Sequence, residues 1–184
     1  MSYTANFNAH AQDITVKNGR FFCKGKRYYY IGANYWYGGL LGMKTGGDEG
    51  KARLIKELDF LKNNGVNNLR ILVGSEGAGK INGVDRVKPV LQPEKGVFNE
   101  DVLNGLDFLL FEMRKRNMYA VLYLSNNWEW SGGFLQYLNW NNQVDLATLQ
   151  SKMNWDTQRD VTGKFYTCEQ CKQDYKKQLD YIFN

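Results

Sequence analysis

The sequence predicts an α/β fold of the (β/α)8 barrel class, of which this chain covers an N-terminal hairpin and about the first three β/α units. Three observations predict it. First, an apolar run, a polar and aromatic stretch and an amphipathic helix follow one another in that order, and the order recurs three times. Second, the connections from helix back to strand are short, Asn63 to Gly65 and Asn117 to Met118, while those from strand to helix are long. Third, the unusual residues gather in the long connections, as in barrels that place function at the C-terminal ends of their strands. A doubly wound nucleotide-binding sheet is the rival, but no Gly-x-Gly-x-x-Gly follows any strand and no Walker loop occurs. A whole barrel takes about 250 residues, and this chain has 184. The expectation is a polar leader, residues 1–12, and the N-terminal half of a barrel, residues 13–184. Its unpaired strand edges would be open to a missing C-terminal half or to self-association.

The elements follow in order. Ile14 to Cys23 reads as two short strands around Asn18-Gly19, a hairpin signal, forming a lid at one end of the domain. After the turn Lys24-Gly25-Lys26, Arg27 to Gly32 reads as the first core strand. Asp48 to Asn64 reads as a helix with Leu54, Ile55, Leu58 and Leu61 on one face and Asn64-Gly65 as its stop. Val66 to Val73 is the second core strand. The stretch to about Phe98 holds both prolines and is too long for a plain connector. Asn99 or Glu100 starts a second helix, running from Asp101 to Arg116, with Val102, Leu103, Leu106, Leu109, Leu110 and Met113 facing inward. Tyr119 to Leu124 is the third strand, an apolar run of the kind buried on both faces. A loop from Ser125 to about Asp145, a short helical piece at Leu146 to Met153 and a third helix at Thr167 to Phe183 complete the chain. The last helix carries Tyr175, Leu179 and Ile182 on one side.

Bulk properties narrow the function. The net charge is +5 and the basic residues are scattered, so no basic stripe argues for nucleic acid. No apolar run reaches the ~20 residues that a membrane helix needs. The first residues lack the apolar core of a signal peptide, so an export signal has been removed or was never present. Cys168 and Cys171 have Cys-x-x-Cys spacing, but zinc needs about four ligands and the one histidine, His10, is far away in a polar stretch with no role assigned. The pair reads as a local disulfide or two idle thiols, and Cys23 as buried. No metal or cofactor is expected.

Aromatic residues make up 15% of the chain, enough to raise the question of stacking surfaces. The stretch from Tyr119 to Leu138 passes from a strand into Asn126, Asn127, Trp128, Glu129 and Trp130. Indoles cover the apolar faces of sugar rings, and amides and carboxylates take the hydroxyls. Trp36 and Trp128 read as stacking platforms, with packing as the other reading. Asn34, Asn126 and Asn127 follow strands and suit sugar hydroxyls, or simply form turns. Arg70 lies between Leu69 and Ile71 in an apolar strand, where a buried guanidinium needs a polar or anionic partner. Pointing inward, it would keep a catalytic carboxylate ionised; facing a helix, it would pair with a structural acid. Glu76 and Glu129 are the carboxylate pair that a strictly internal reading proposes, but loop charges of this kind are usually solvated.

Several of these segments resemble a known family. Phe21-Phe-Cys-Lys-Gly-Lys-Arg-Tyr-Tyr-Tyr-Ile-Gly-Ala-Asn-Tyr-Trp-Tyr-Gly is similar to the opening of the glycoside hydrolase family 5 β-mannanases. So are Asn67-Asn-Leu-Arg-Ile-Leu-Val, Leu124-Ser-Asn-Asn-Trp-Glu-Trp-Ser-Gly-Gly-Phe-Leu-Gln-Tyr-Leu, and Lys164-Phe-Tyr-Thr ahead of a helix with Tyr175-Lys176. The resemblance runs from about residue 13 to the C-terminus. It implies a secreted, metal-free, retaining (β/α)8 hydrolase that cuts internal β-1,4-mannosidic bonds in β-mannan or manno-oligosaccharides. It makes Arg70 the arginine that contacts the catalytic carboxylates, and places Trp36, Asn126, Asn127 and Trp128 in or near the cleft. Both catalytic glutamates of the family follow later strands, so both are expected beyond residue 184 and the chain alone should be inactive. The alternatives are a non-catalytic, self-associating β-glycan-binding half-barrel and a family 5 cellulase.

Overall fold

The computed structural model describes residues 14–184. The polar leader and His10 lie outside the described residues. Two compact units divide the chain, one ending at Ile31 and the other running from Gly32 to Asn184.

The first unit is an antiparallel sheet of β1 (Ile14–Lys17), β2 (Arg20–Cys23) and β3 (Lys26–Arg27). Asn18 and Gly19 both have positive φ, 51° and 67°, the twist a two-residue hairpin turn needs. Cys23 is half-buried. The first core strand does not begin at Arg27 as expected. Residues 26–27 pair with β2, and the Tyr28 amide extends that ladder to the Phe21 carbonyl at 2.8 Å. Tyr29, Tyr30 and Ile31 then run exposed outside any strand.

The second unit opens with β4 (Gly32–Asn34), then α1 (Gly38–Leu41) and α2 (Gly47–Asn63). Next come β5 (Asn68–Leu72), a small hairpin of β6 (Lys80–Ile81) and β7 (Val84–Asp85), α3 (Glu100–Lys115) and β8 (Tyr119–Tyr123). Strands β4, β5 and β8 form a parallel sheet in chain order. Strand periodicity sets its two faces. Leu69 and Ile71 turn to the helices, beside Ala120 and Leu122, and pack with Leu54 and Leu58 of α2 and Leu106, Leu109 and Met113 of α3. On the other face Asn34, Arg70 and Val121 lie in one register layer. Among the described residues the sheet stays open and no barrel closes. Strand β8 is therefore only half-buried, with Val121 exposed, rather than covered on both faces.

Helix boundaries follow the local chemistry. Gly65, with φ 83°, follows α2, and the Asn64 side chain donates to the Phe60 carbonyl at 2.8 Å. Asn99 caps α3 by accepting from the Asp101 amide at 3.1 Å. Asn99→Ala should cost about 1 kcal/mol, the usual value of such a cap; a chemical-denaturation midpoint that does not move would contradict this. Arg116 ties α3 to α2, reaching Asp59 and Glu112 at 2.7 Å each.

The connection after β8 is not the loop expected from Ser125 to Asp145. It contains α4 (Phe134–Trp140), followed by α5 (Leu146–Gln150), α6 (Trp155–Gly163), a 3-10 turn (Lys164–Thr167) and α7 (Glu169–Phe183). The sequence reading had no α6. Asn127 accepts from the Phe134 amide at 3.0 Å, and Asp145 and Asn154 accept from Thr148 and Thr157 at 2.6 and 2.9 Å. These short polar caps start helices of only a few turns, too brief for periodicity to reveal. The helices share a core of Leu135, Tyr137, Leu138, Leu149, Phe165 and Cys171, reached by Ile81 of the small hairpin. Cys168 and Cys171 form a disulfide at the start of α7. Helix α7 buries Cys171, Asp174 and Gln178, while Tyr175, Leu179 and Ile182, the expected inner side, are only half-buried.

Candidate functional site

The connections that leave β5 and β8 meet at the C-terminal ends of the sheet. The Val73 amide donates to the Tyr123 carbonyl at 3.2 Å, and the Glu76 amide to the Ser131 carbonyl at 3.0 Å. Whatever these connections carry is therefore held above the strand ends, as the strand-to-helix asymmetry of the sequence implies.

Arg70 stands on the open face of the sheet and is exposed, not buried as its apolar neighbours suggested. Its Nη1 donates to Asn34 Oδ1 at 3.3 Å. Its guanidinium carbon lies 3.7 Å from the centre of the Tyr123 ring, within cation–π range. Burial pushes the Tyr123 phenol above its ordinary value, with Arg70 opposing. The reading in which Arg70 faces a helix and pairs with a structural acid does not hold. One face of the guanidinium stacks on Tyr123, the Asn34 bond is long, and the charge is left available on the open face of the sheet.

Trp36 is set by its neighbours. Tyr35 and Tyr37 both donate to Glu57 Oε2 of α2, at 2.6 and 3.1 Å, and Arg53 closes the cluster on Oε1 at 2.7 Å. These bonds hold the Glu57 carboxyl below the usual range even though burial acts the other way. Trp36 packs instead on Trp130 of the β8 connection, ring centres 4.9 Å apart. Trp128 is exposed and meets Trp155 of α6 edge-to-face at 5.2 Å. These four indoles thus fall into two pairs, and Trp36 and Trp128 belong to different ones. Asn127 starts α4 through its side chain, and the Asn126 carbonyl accepts from the Ser131 hydroxyl at 3.4 Å. For both asparagines the turn-forming reading describes these contacts.

The two candidate carboxylates are held by separate sets of partners. Glu129 is held by Asn82 Nδ2 at 2.8 Å, and Asn82 also accepts from the Met153 amide. Glu76 was expected to be solvated, but it is completely buried. Burial pushes its carboxyl group up to about 7, against the Gly133 amide, Gln178 and Arg86, which favour the charged form. Arg86 is buried beside it, donates to the Glu76 carbonyl and reaches Gln136 at 2.8 Å, and burial lowers it to about 10.

Tyr123 could have been found from sequence, because strand alternation puts it on the face of Val121, which pairs with Arg70. Trp155 and the link between Glu76 and Gln178 had no local signal. Among the described residues no group of three or more His, Cys, Asp or Glu side chains is placed to hold a metal ion. No helix among them is long and apolar enough to cross a membrane.

Comparisons with known proteins point one way. A family model described as GH family 5 beta-mannosidase-like matches residues 11–184. Mannan endo-1,4-beta-mannosidase 1 of Arabidopsis thaliana is 31% identical over 168 residues, covering 89% of this chain and 34% of that protein. Mannan endo-1,4-beta-mannosidase 1 of Oryza sativa subsp. japonica is 30% identical over 128 residues, covering 69% of this chain and 27% of that protein. The crystal structure of a glycoside hydrolase family 5 mannosidase from Rhizomucor miehei is 32% identical with a TM-score of 0.76, covering 92% of this chain and 41% of that one. An alanine-for-glutamate variant of that mannosidase has been solved in complex with mannosyl-fructose. The chain spans about a quarter to a third of the length of these plant relatives.

Proposed function

The chain belongs to the glycoside hydrolase family 5 β-mannosidase-like proteins, and from this premise we propose that it supplies the first three β/α units of a (β/α)8 hydrolase that cuts internal β-1,4-mannosidic bonds. The observation that carries the reading is the Asn34, Arg70 and Tyr123 constellation on the open sheet face, below the two indole pairs. Retaining hydrolysis needs one carboxylate as nucleophile and a second carboxyl group as acid and base. By family resemblance both come from strands outside these 184 residues. Arg70, fixed by a stack and one hydrogen bond, would keep the nearer carboxylate ionised and in place. The exposed indoles would cover the apolar faces of mannose rings. Glu76 and Glu129, each taken up by its own structural partners, have no part in the chemistry. The Cys168–Cys171 disulfide supports an oxidising, extracellular location.

The test is hydrolysis of mannan and of cellulose by the protein that carries this chain, with product lengths read by chromatography. Mannan should be the better substrate, with mixed short oligomers as early products, and a polypeptide of these 184 residues alone should turn over neither polymer. Arg70→Lys should lower kcat/KM on mannan roughly tenfold, because lysine keeps the charge but loses the planar fork and the stack on Tyr123. Faster cleavage of cellulose would overturn the substrate assignment. A second reading is exo-acting release of single mannosyl groups. It is favoured by the description of the Rhizomucor miehei protein as a mannosidase and by its complex with mannosyl-fructose. Free mannose as the sole early product would select it.

A further inference from the structure

Glu76 has no role in the proposed chemistry, yet it is completely buried and its partners come from separate parts of the chain. Its Oε2 accepts from the Gly133 amide at 3.0 Å, and its Oε1 accepts from Gln178 Nε2 of α7 at 2.9 Å. Its own amide donates to the Ser131 carbonyl at 3.0 Å, and its carbonyl accepts from Arg86. The far end of the Asn126–Gly133 segment is thus fastened to the β5 connection through both main chain and side chain.

The direction of these bonds is fixed from outside. The Gly96 amide donates to Gln92 Oε1 at 2.9 Å, which orients the Gln92 carboxamide. Gln92 Nε2 then donates to Gln178 Oε1 at 2.6 Å, and this turns Gln178 Nε2 towards Glu76. A carboxylate satisfies two such donors, whereas a carboxamide satisfies one and turns its own N–H groups on the other. The charged and titratable groups that face the carboxyl are Arg86, Tyr137 of α4 and Tyr175 of α7. The space is filled: a Cβ on Gly132 would sit 2.7 Å from Glu76 Oε2 and 2.8 Å from Arg86 Nη1.

We propose that Glu76 is a positioning residue for saccharide binding, its carboxylate fixing the Asn126–Gly133 segment, and with it Trp128 and Trp130, over the strand ends. The role in binding rests on the mannan reading above; the fastening itself does not. The test compares wild type, Glu76→Gln, and the double swap Glu76→Gln with Gln178→Glu, which gives the new carboxamide an acceptor at position 178. Amide exchange at Gly133 is followed by NMR and mannohexaose affinity by calorimetry, both at one pH well above about 7, where the Glu76 carboxyl is ionised. In the single variant Gly133 should exchange about tenfold faster and affinity should fall about tenfold, the loss of one hydrogen bond to a charged group, with exchange in α2 unchanged. The double swap should return both values towards wild type. Unchanged Gly133 exchange in the single variant overturns the fastening. Equal loss of protection at Gly133 and in α2, without recovery in the double swap, reduces Glu76 to a support of the whole fold and overturns the proposal. Unchanged affinity, with wild type binding, overturns the role in binding alone. No binding by wild type overturns the mannan reading and that role with it, while the exchange data still decide the fastening.

Discussion

The difference in unfolding free energy between wild type and Glu76→Gln should shift by about 3 kcal/mol as pH rises from about 4.5 to about 7, wild type losing relative to the variant. The sign follows from the direction of the shift. The buried carboxyl of Glu76 is raised from 4.5 to about 7. Between those values the folded chain holds a proton that the unfolded chain has released. The contribution is fully present below 4.5 and is lost as pH climbs through about 7. A glutamine at this position cannot titrate, so subtracting the two curves cancels every other group. Urea denaturation of both proteins at several pH values measures it. A difference that stays constant across the window would show that the carboxyl is not enclosed as described.

Gly105→Ala should destabilise the protein by about 3 kcal/mol, the upper range for forcing an atom into a packed interior. Gly105 lies in the middle of α3, where glycine has no helical advantage. It is needed because α1 crosses there: an added Cβ would meet the Gly39 carbonyl at 2.3 Å, Met43 Cγ at 2.8 Å and the Met43 amide at 2.9 Å. Two of these contacts are main chain, so the strain cannot be relieved by turning a side chain. Moving α1 would also disturb the turn that carries Trp36. Gly163→Ala is the control, since a Cβ there meets nothing within 4 Å and φ is an ordinary −58°. It should be neutral or slightly stabilising. Denaturant midpoints at constant slope compare the two, and a loss below about 1 kcal/mol for Gly105→Ala would contradict the close approach.

The wall of the fold was legible because its signals are periodic and local. The leucines of α2 and α3, the apolar runs of β5 and β8 and the Asn18-Gly19 turn each state their structure within a few residues. Of the site, Arg70 was legible as a charge interrupting an apolar strand and Asn34 as a polar residue at a strand end, whereas their shared register layer was not. What failed was long-range or short-lived. Helix α4 looks like loop because it is brief and follows directly on Gly132 and Gly133. Lys26 and Arg27 pair with a neighbour that only the hairpin supplies. The burial of Glu76 depends on Gln178, which lies 102 residues away. Arg70 misled in the opposite direction, because alternation along β5 puts it on the face that no described residue covers.

The separate core above the strand ends has a consequence for how such a protein can diverge. The arginine layer takes its stability from the sheet and its two flanking helices, whereas Trp155, which meets Trp128, stands on α6, whose Val161 packs against Tyr137, Phe165 and Cys171. Under the proposed function, drift in the upper tier would re-tune which saccharides are retained while the floor beneath stays unaltered. Selectivity and reactivity would then be traits that can be inherited, and changed, one at a time.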